Sequence, residues 1–383
     1  MSGGVEAVPA THRELLEKLT VRESRFYTIE GEKARCLTCE RRCLIPPGRT
    51  GYCRTRMNIE GKIYTLVYGD ISSISVNPIE KKPFFHFWPG SRALTVGSWG
   101  CNQSCSWCQN FEISKTPPNP RTATYTSPED LVRIASSSGC HGVSLSFNEP
   151  TLLLEYALDL FPFAKSLGLN TSYVSNGYMT VEALQRLKGS GLDAVKFDVK
   201  GDAEAVRRFC DADVSLVWRN VREAKGLGMH VEVVVLLIPG INDKEESIME
   251  VIQRHLEYAG YDTPIHFTRF HPDYQMLDRG PTPLEKLERA YSIAKKQGVD
   301  YVYLGNCPGH RYEDTYCHSC GELLIKRRAF KIIDCKLRED CLCPACGQRI
   351  PITGRISLET KTACAAGLMD GDDERVQGTL CKS

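Results

Sequence analysis

An excess of charge of either sign is missing from this 383-residue chain: 48 Lys and Arg stand against 47 Asp and Glu, a net charge of +1. That balance supplies no basic stripe for a phosphate backbone. It argues against a dedicated nucleic-acid binder, without excluding an RNA substrate. Long hydrophobic runs are missing too. The longest largely apolar stretch, Val231 to Ile238 around Glu232, has the length of a strand and falls far short of the ~20 residues of a membrane span. The first twenty residues carry Glu14 and Glu17 and no continuous apolar segment, so no secretory leader is expected. The expectation is a soluble, cytoplasmic protein with no membrane partner.

Cysteine is what the chain has in abundance, at 18 residues. In a reducing compartment these are not structural disulfides, and their clustering points to metal. Cys101-Asn-Gln-Ser-Cys105-Ser-Trp-Cys108 follows a short apolar strand, Ala93 to Gly97. Three thiolates on one tight loop can share a metal centre but leave the usual four-thiolate set one ligand short, and the next cysteine, Cys140, lies beyond a helix. Such a centre has an open position where chemistry can occur.

Two further sets complete their own ligand count. Cys36, Cys39, Cys43 and Cys53, among Pro46, Pro47, Gly48 and Gly51, suit a loop-built zinc site or an auxiliary cluster. Cys317-His-Ser-Cys320-Gly and Cys343-Pro-Ala-Cys346-Gly are two CxxC knuckles 22 residues apart, the pattern of a zinc-ribbon or rubredoxin-like module holding zinc or iron. Cys335 and Cys341 are spare thiols or alternative ligands. Cys140, Cys210, Cys307, Cys364 and Cys381 read as bystanders.

Between the outer sets the chain alternates strand and helix. Ser127-Pro128-Glu129-Asp130 starts one helix with a capping Ser, Pro at the first position and acids in the first turn. A helix over Pro283–Gln297 is expected behind a Thr282 cap, and a hairpin over Lys62 to Val76. Six or seven βα repeats imply a parallel sheet, either a full or partial barrel or an open doubly wound sheet, with ligands at the carboxyl ends of the strands. The polar residues gather there: Asn148 and Glu149, Ser175 and Asn176, Asp198 and Lys200, and His271. The run Asn77 to Gly90, with aromatics between two Pro-marked bends, reads as a cover for one barrel end or as a wall of the site mouth. The expected organisation is an N-terminal helix and lead-in (1–30), a cysteine-rich module with a β-hairpin (31–90), a βα core (91–310), a four-cysteine ribbon (311–357) and a loose tail (358–383).

The three-cysteine loop with Trp107 before its third thiol resembles the radical S-adenosylmethionine (SAM) superfamily. Asn77-Pro-Ile-Glu-Lys-Lys-Pro83, Cys108-Gln-Asn-Phe-Glu-Ile-Ser114, Asn148-Glu-Pro-Thr151 and Tyr301-Val-Tyr-Leu-Gly-Asn306 resemble the radical SAM member of the AmmeMemoRadiSam system, itself similar to pyruvate formate-lyase activating enzymes. The resemblance implies a partial (β/α)6-type barrel in which Cys101, Cys105 and Cys108 hold a 4Fe-4S cluster. The fourth iron is then chelated by SAM, which is cleaved to a 5′-deoxyadenosyl radical that abstracts hydrogen from a substrate. It further implies Glu149 at the SAM ammonium, Ser175 and Asn176 at the ribose, Asp198 and Lys200 at the methionine carboxylate, and Trp107 by the adenine. His271 is a further candidate for the same pocket. Phe147 and Asn148 stand where the family has two glycines. A ferredoxin or flavodoxin type of electron donor is implied as a partner, together with other proteins of that system or a glycyl-radical-type protein substrate. The alternatives are a small-molecule, peptide or RNA substrate, or a non-catalytic iron–sulfur or zinc protein; intact Glu149, Asp198 and Lys200 count against the last.

Overall fold

The computed structural model describes residues 12–338 and 340–358. Its centre is one eight-stranded sheet: β1 (Ser73–Pro78), β2 (Arg92–Gly97), β3 (Gly142–Leu145), β4 (Asn170–Ser175), β5 (Ala194–Val199), β6 (His230–Leu237), β7 (Ile265–Arg269) and β8 (Val302–Gly305). Spatial order follows chain order from β1 to β8. β2 to β8 are parallel, and β1 runs antiparallel to β2. A doubly wound sheet reverses its strand order at a switch point; this one does not. β1 and β8 remain free edges, so the βα repeats form an incomplete barrel, as expected for a partial (β/α)6 type.

Local chemistry sets the helix boundaries. The Ser127 hydroxyl accepts the Asp130 N–H at 3.1 Å in front of Pro128–Ser137, Thr180 caps Val181–Gly189, and Asp202 caps Ala203–Cys210. Asp211 then turns left-handed at φ 51° and a second helix, Val214–Gly226, begins. Leu284–Lys296 starts without a side-chain cap. Thr282 does something else: its hydroxyl donates to the Leu237 carbonyl at 2.6 Å and accepts the Phe270 N–H at 2.9 Å, tying β6 to the end of β7.

The expected hairpin over Lys62 to Val76 is replaced by two pairings. Lys62–Thr65 folds back on Arg56–Ile59 around Glu60 and Gly61, both at positive φ, the turn that matches strand twist. Residues 73–78 instead join the central sheet. The N-terminal helix is described over His12–Leu16, while residues 1–11 and the tail beyond Leu358 lie outside the described residues.

The aromatic run packs at one end of the sheet, with Phe84 and Phe87 against Ala93, Ala194 and His230 at the starts of β2, β5 and β6. Phe84, His86 and Phe87 are fully buried. The Glu232 carboxylate, inside β6, accepts the Phe85 and His86 N–H groups at 2.9 and 2.8 Å and is flanked by His230 and His266 at 3.0 and 2.7 Å. Burial opposes its charge, yet these imidazoles hold its carboxyl well below the usual range. Phe85 also packs on Tyr303 of β8. The ribbon docks on the same run: Arg327 donates to the Phe85 carbonyl at 2.9 Å, and Trp88 N–H donates to the Thr353 carbonyl at 2.7 Å. Phe84, His86 and Phe87 thus cover one end of the sheet, while Glu80, Lys81, Pro83 and Phe85 of the same run line a cavity, so both of its sequence readings apply.

Candidate active site

The carboxyl ends of β2 to β5 converge on the three-cysteine loop. Backbone bonds fix that loop: the Ser104 and Ser106 N–H groups donate to the Cys210 and Phe209 carbonyls at 3.1 and 3.2 Å. Lys115 donates to the Gln103 carbonyl at 3.0 Å. Asn148 braces it from β3, accepting the Ser98 N–H at 3.0 Å and donating to the Gly100 carbonyl at 3.0 Å. Its neighbour Phe147 is left-handed at φ 67°, a conformation glycine adopts readily. A Cβ on Gly97 would meet Phe147 Cβ at 2.9 Å, so the glycine here sits on the opposite strand.

Cys101, Cys105 and Cys108 line a cavity of about 210 Å³ together with Trp107, Glu149, Asn176, Asp198 and Lys200. Glu149 is 1% exposed. Its carboxylate accepts the Thr151 N–H at 3.0 Å, the Ser175 hydroxyl at 2.8 Å and the Asn176 N–H at 2.9 Å. Burial still pushes its proton affinity up against those donors. Ser175 thus points at Glu149, while the Asn176 side chain donates to the Asn102 amide oxygen at 2.8 Å and lies 3.8 Å from Cys101 Sγ. Across the cavity, Asp198 is held between Lys196 and Lys200, the latter at 3.2 Å. Burial alone would raise the Asp198 carboxyl, but the two ammonium groups outweigh it and hold it at about 2. The Trp107 indole is 3% exposed, and its N–H lacks a hydrogen-bond partner.

Two expectations change. His271 is exposed, its ring against the Pro272 carbonyl at 2.9 Å, and it does not line this cavity. Its loop reaches the cysteine loop with other residues: Gln275 N–H donates to the Ser106 carbonyl at 3.1 Å, and Tyr274 stacks on Phe111. Cys210, a bystander by sequence, is fully buried behind the cysteine loop, its carbonyl accepting the Ser104 N–H, and its nearness lowers the Cys105 thiol below the usual range. Only the fold brings it there. Lys82, also unassigned by sequence, is 6% exposed with its ammonium 4.8 Å from the Phe147 ring centre. Burial, reinforced by Lys81 and Lys196, lowers it to about 7.

A second cavity of about 310 Å³ adjoins the first at Gln109, Asp198, Lys200 and Leu236. Lys81, Glu80 and Lys196 line it on the barrel side, and Arg327 and Phe330 on the ribbon side.

The cysteine sets differ in spacing. In the ribbon, Cys317 and Cys346 sulfurs stand 3.6 Å apart and Cys320 and Cys343 3.7 Å, which fits a tetrahedral ion with metal–sulfur bonds of ~2.3 Å. Among the described residues this is the only group whose ligand atoms all lie within 4.8 Å of one another; Cys335 and Cys341 are outside it. The Cys101, Cys105 and Cys108 sulfurs do not all lie within that distance of one another. With an acid, a base and an apolar ring on the same cavity, this donor set fits a cluster chelated by a zwitterionic amino acid. No helix among the described residues is long and apolar enough to cross a membrane.

Comparison with known proteins agrees with this site. The radical SAM superfamily profile matches residues 97–252. An uncharacterized protein of Methanocaldococcus jannaschii is 40% identical over 335 residues, covering 87% of this chain and 99% of that protein. A probable GTP 3′,8-cyclase of Pyrococcus horikoshii is 29% identical over 150 residues, 38% of this chain and 46% of that protein. A solved domain of a pyruvate-formate lyase-activating enzyme from Bacteroides vulgatus superposes with a TM-score of 0.38 at 19% identity, covering 43% of this chain and 99% of that one. Residues 97–252 of this chain are a radical SAM domain.

Proposed function

We propose that this chain is an enzyme that cleaves SAM reductively and directs the 5′-deoxyadenosyl radical at a small polar substrate. The observation that carries the reading is that Cys101, Cys105 and Cys108 share one cavity with Glu149, Asp198 and Lys200. A 4Fe-4S cluster on the three thiolates supplies the electron and the open iron. The protein supplies placement. Glu149, aimed by Ser175, Asn176 and Thr151, receives the SAM ammonium. Lys200, whose ammonium has donors beyond the one given to Asp198, receives the carboxylate. Trp107 offers its face to the adenine.

The adjoining cavity supports a small substrate over the loop of a folded protein. It is capped by the ribbon hairpin, whose tip, Ala329-Phe330, is left-handed at φ 47° and 68°. That conformation costs non-glycine residues roughly 1–2 kcal/mol each, and here it presents Phe330 to the cavity. Lys81, Lys196 and Arg327 on its walls suit an anionic group. Activation of a glycyl-radical protein, and membership of the AmmeMemoRadiSam system, rest on the sequence resemblance. The electron donor in this reading is a low-potential ferredoxin or flavodoxin.

The test is anaerobic reconstitution with iron and sulfide, followed by SAM and reductant. Deoxyadenosine is expected, and Cys105→Ala should abolish it while ribbon zinc is retained. A wild-type protein that makes no deoxyadenosine would sink the proposal. Small molecules altered by wild type but not by Phe330→Ala would identify the substrate.

A further inference from the structure

We infer that Cys36, Cys39, Cys43 and Cys53 hold a second 4Fe-4S cluster, placed to pass single electrons to the three-cysteine loop. The inference stands on geometry outside the SAM site. The four thiols belong to one short module, where the Cys36 N–H donates to the Cys43 carbonyl at 2.9 Å and Cys43 packs against buried Cys36, and none is in a disulfide. Cys36, Cys39 and Cys53 are buried, and Cys43 is partly exposed.

Spacing decides between the two metal readings. A zinc ion bonded at ~2.3 Å holds its thiolates about 3.8 Å apart, as the ribbon quartet stands ready to do. No three of the N-terminal sulfurs lie within 4.8 Å of one another. They therefore lack the close approach that one zinc ion requires, and four thiolates are the ligand count of a 4Fe-4S cluster. The surroundings fit a group carrying negative charge. Tyr52 N–H donates to Cys43 Sγ at 3.4 Å, and the Thr55 hydroxyl lies 3.2 Å from Cys53 Sγ. The buried Arg56 guanidinium is within range of Cys36 and Cys53.

Position gives the role. Arg41 Nε donates to the Asn102 carbonyl at 2.8 Å, beside Cys101. A Cβ on Gly100 would stand 2.7 Å from the Cys53 carbonyl, so the two cysteine loops are packed backbone against backbone. Cys43 lies in the chain next to exposed Leu44, and its sulfur accepts from exposed Tyr52. A reduced ferredoxin or flavodoxin docking there would give up one electron. The N-terminal cluster would take it, passing from its 2+ to its 1+ state, and return to 2+ on handing it inward.

The variant C101A/C105A/C108A removes the other cluster's ligands and leaves the N-terminal set intact. After anaerobic reconstitution it should keep about half the wild-type iron, with Mössbauer and reduced-state EPR signatures of a cubane and zinc confined to the ribbon. Loss of all cubane iron, or a second zinc in its place, overturns the site. This readout needs neither SAM nor activity, so it fails or succeeds separately from the proposed function. In C39S/C53S, reduced ferredoxin should reduce the remaining cluster roughly tenfold or more slowly than in wild type, equivalent to about 1.4 kcal/mol on the barrier. Dithionite should reduce both proteins alike, which also reports an intact fold. Equal ferredoxin rates would overturn the electron-transfer role.

Discussion

The Glu149 carboxylate accepts the Asn176 N–H at 2.9 Å, joining the ends of β3 and β4 beneath the cysteine loop. Asn176 then reaches from its side chain to Asn102. One carboxylate, one peptide and one amide therefore fix the distance between the metal loop and the acid that faces it.

Replacing Glu149 with Gln keeps the size and removes the charge. A hydrogen bond to a charged group is worth about 1.5–3 kcal/mol, so SAM affinity of the reconstituted protein should fall roughly tenfold to a hundredfold. Equilibrium dialysis with SAM measures this. Unchanged affinity would remove Glu149 from the site.

Lys82 predicts a pH dependence. Burial, then Lys81 and Lys196, lower its ammonium from 10.5 to about 7, so between those values the unfolded chain binds the proton more tightly. Stability contributed through this group therefore rises with pH from about 7 to 10.5, with a full effect on the order of 5 kcal/mol. Lys82→Met should stabilise the metal-free protein most near pH 6 and progressively less toward pH 10, as followed by thermal melts. A gain independent of pH would contradict the assignment.

Arg56 and Glu155 form an ion pair at 2.7 Å, with side chains 1% and 3% exposed, linking the cysteine-rich module to the helix Leu154–Ser166. Removing one member of such a pair strands the other, at a cost of about 3–5 kcal/mol. Glu155→Ala should lower the urea midpoint accordingly, while a double change to apolar residues of similar volume should recover much of it.

The ribbon quartet carries its own expectation. Cys320→Ala should release the ribbon's metal ion, zinc or iron, and lower the melting temperature, because metal binding at such a site is folding energy. It should also open the second cavity, which Arg327 and Phe330 line. An unchanged melting curve would show the ribbon to be held by packing alone.

Much of the scaffold is legible in the chain. Parallel strands buried on both faces read as apolar runs, and Ser127, Thr180 and Asp202 mark helix starts, because caps and periodicity are local. The Lys62 to Val76 hairpin fails for the same reason: alternation marks strands but does not name their partners. The turn at Glu60-Gly61 is the signal that assigns the pairing correctly. Thr282 has the composition of a cap, yet its hydroxyl is engaged by Leu237 and Phe270 instead.

By itself the sequence determined the three cysteine sets, the order of strands and helices, and the residues Glu149, Asp198 and Lys200 at strand ends, since each depends on spacing along one segment. Only the tertiary structure decided that Cys210 meets Cys105, that His271 turns away while Gln275 touches the metal loop, and that Ser175 serves Glu149. It also decided that the four ribbon thiols stand close enough for one ion. These are distances between segments remote in the chain, and they follow from how the sheet twists and what packs at its end.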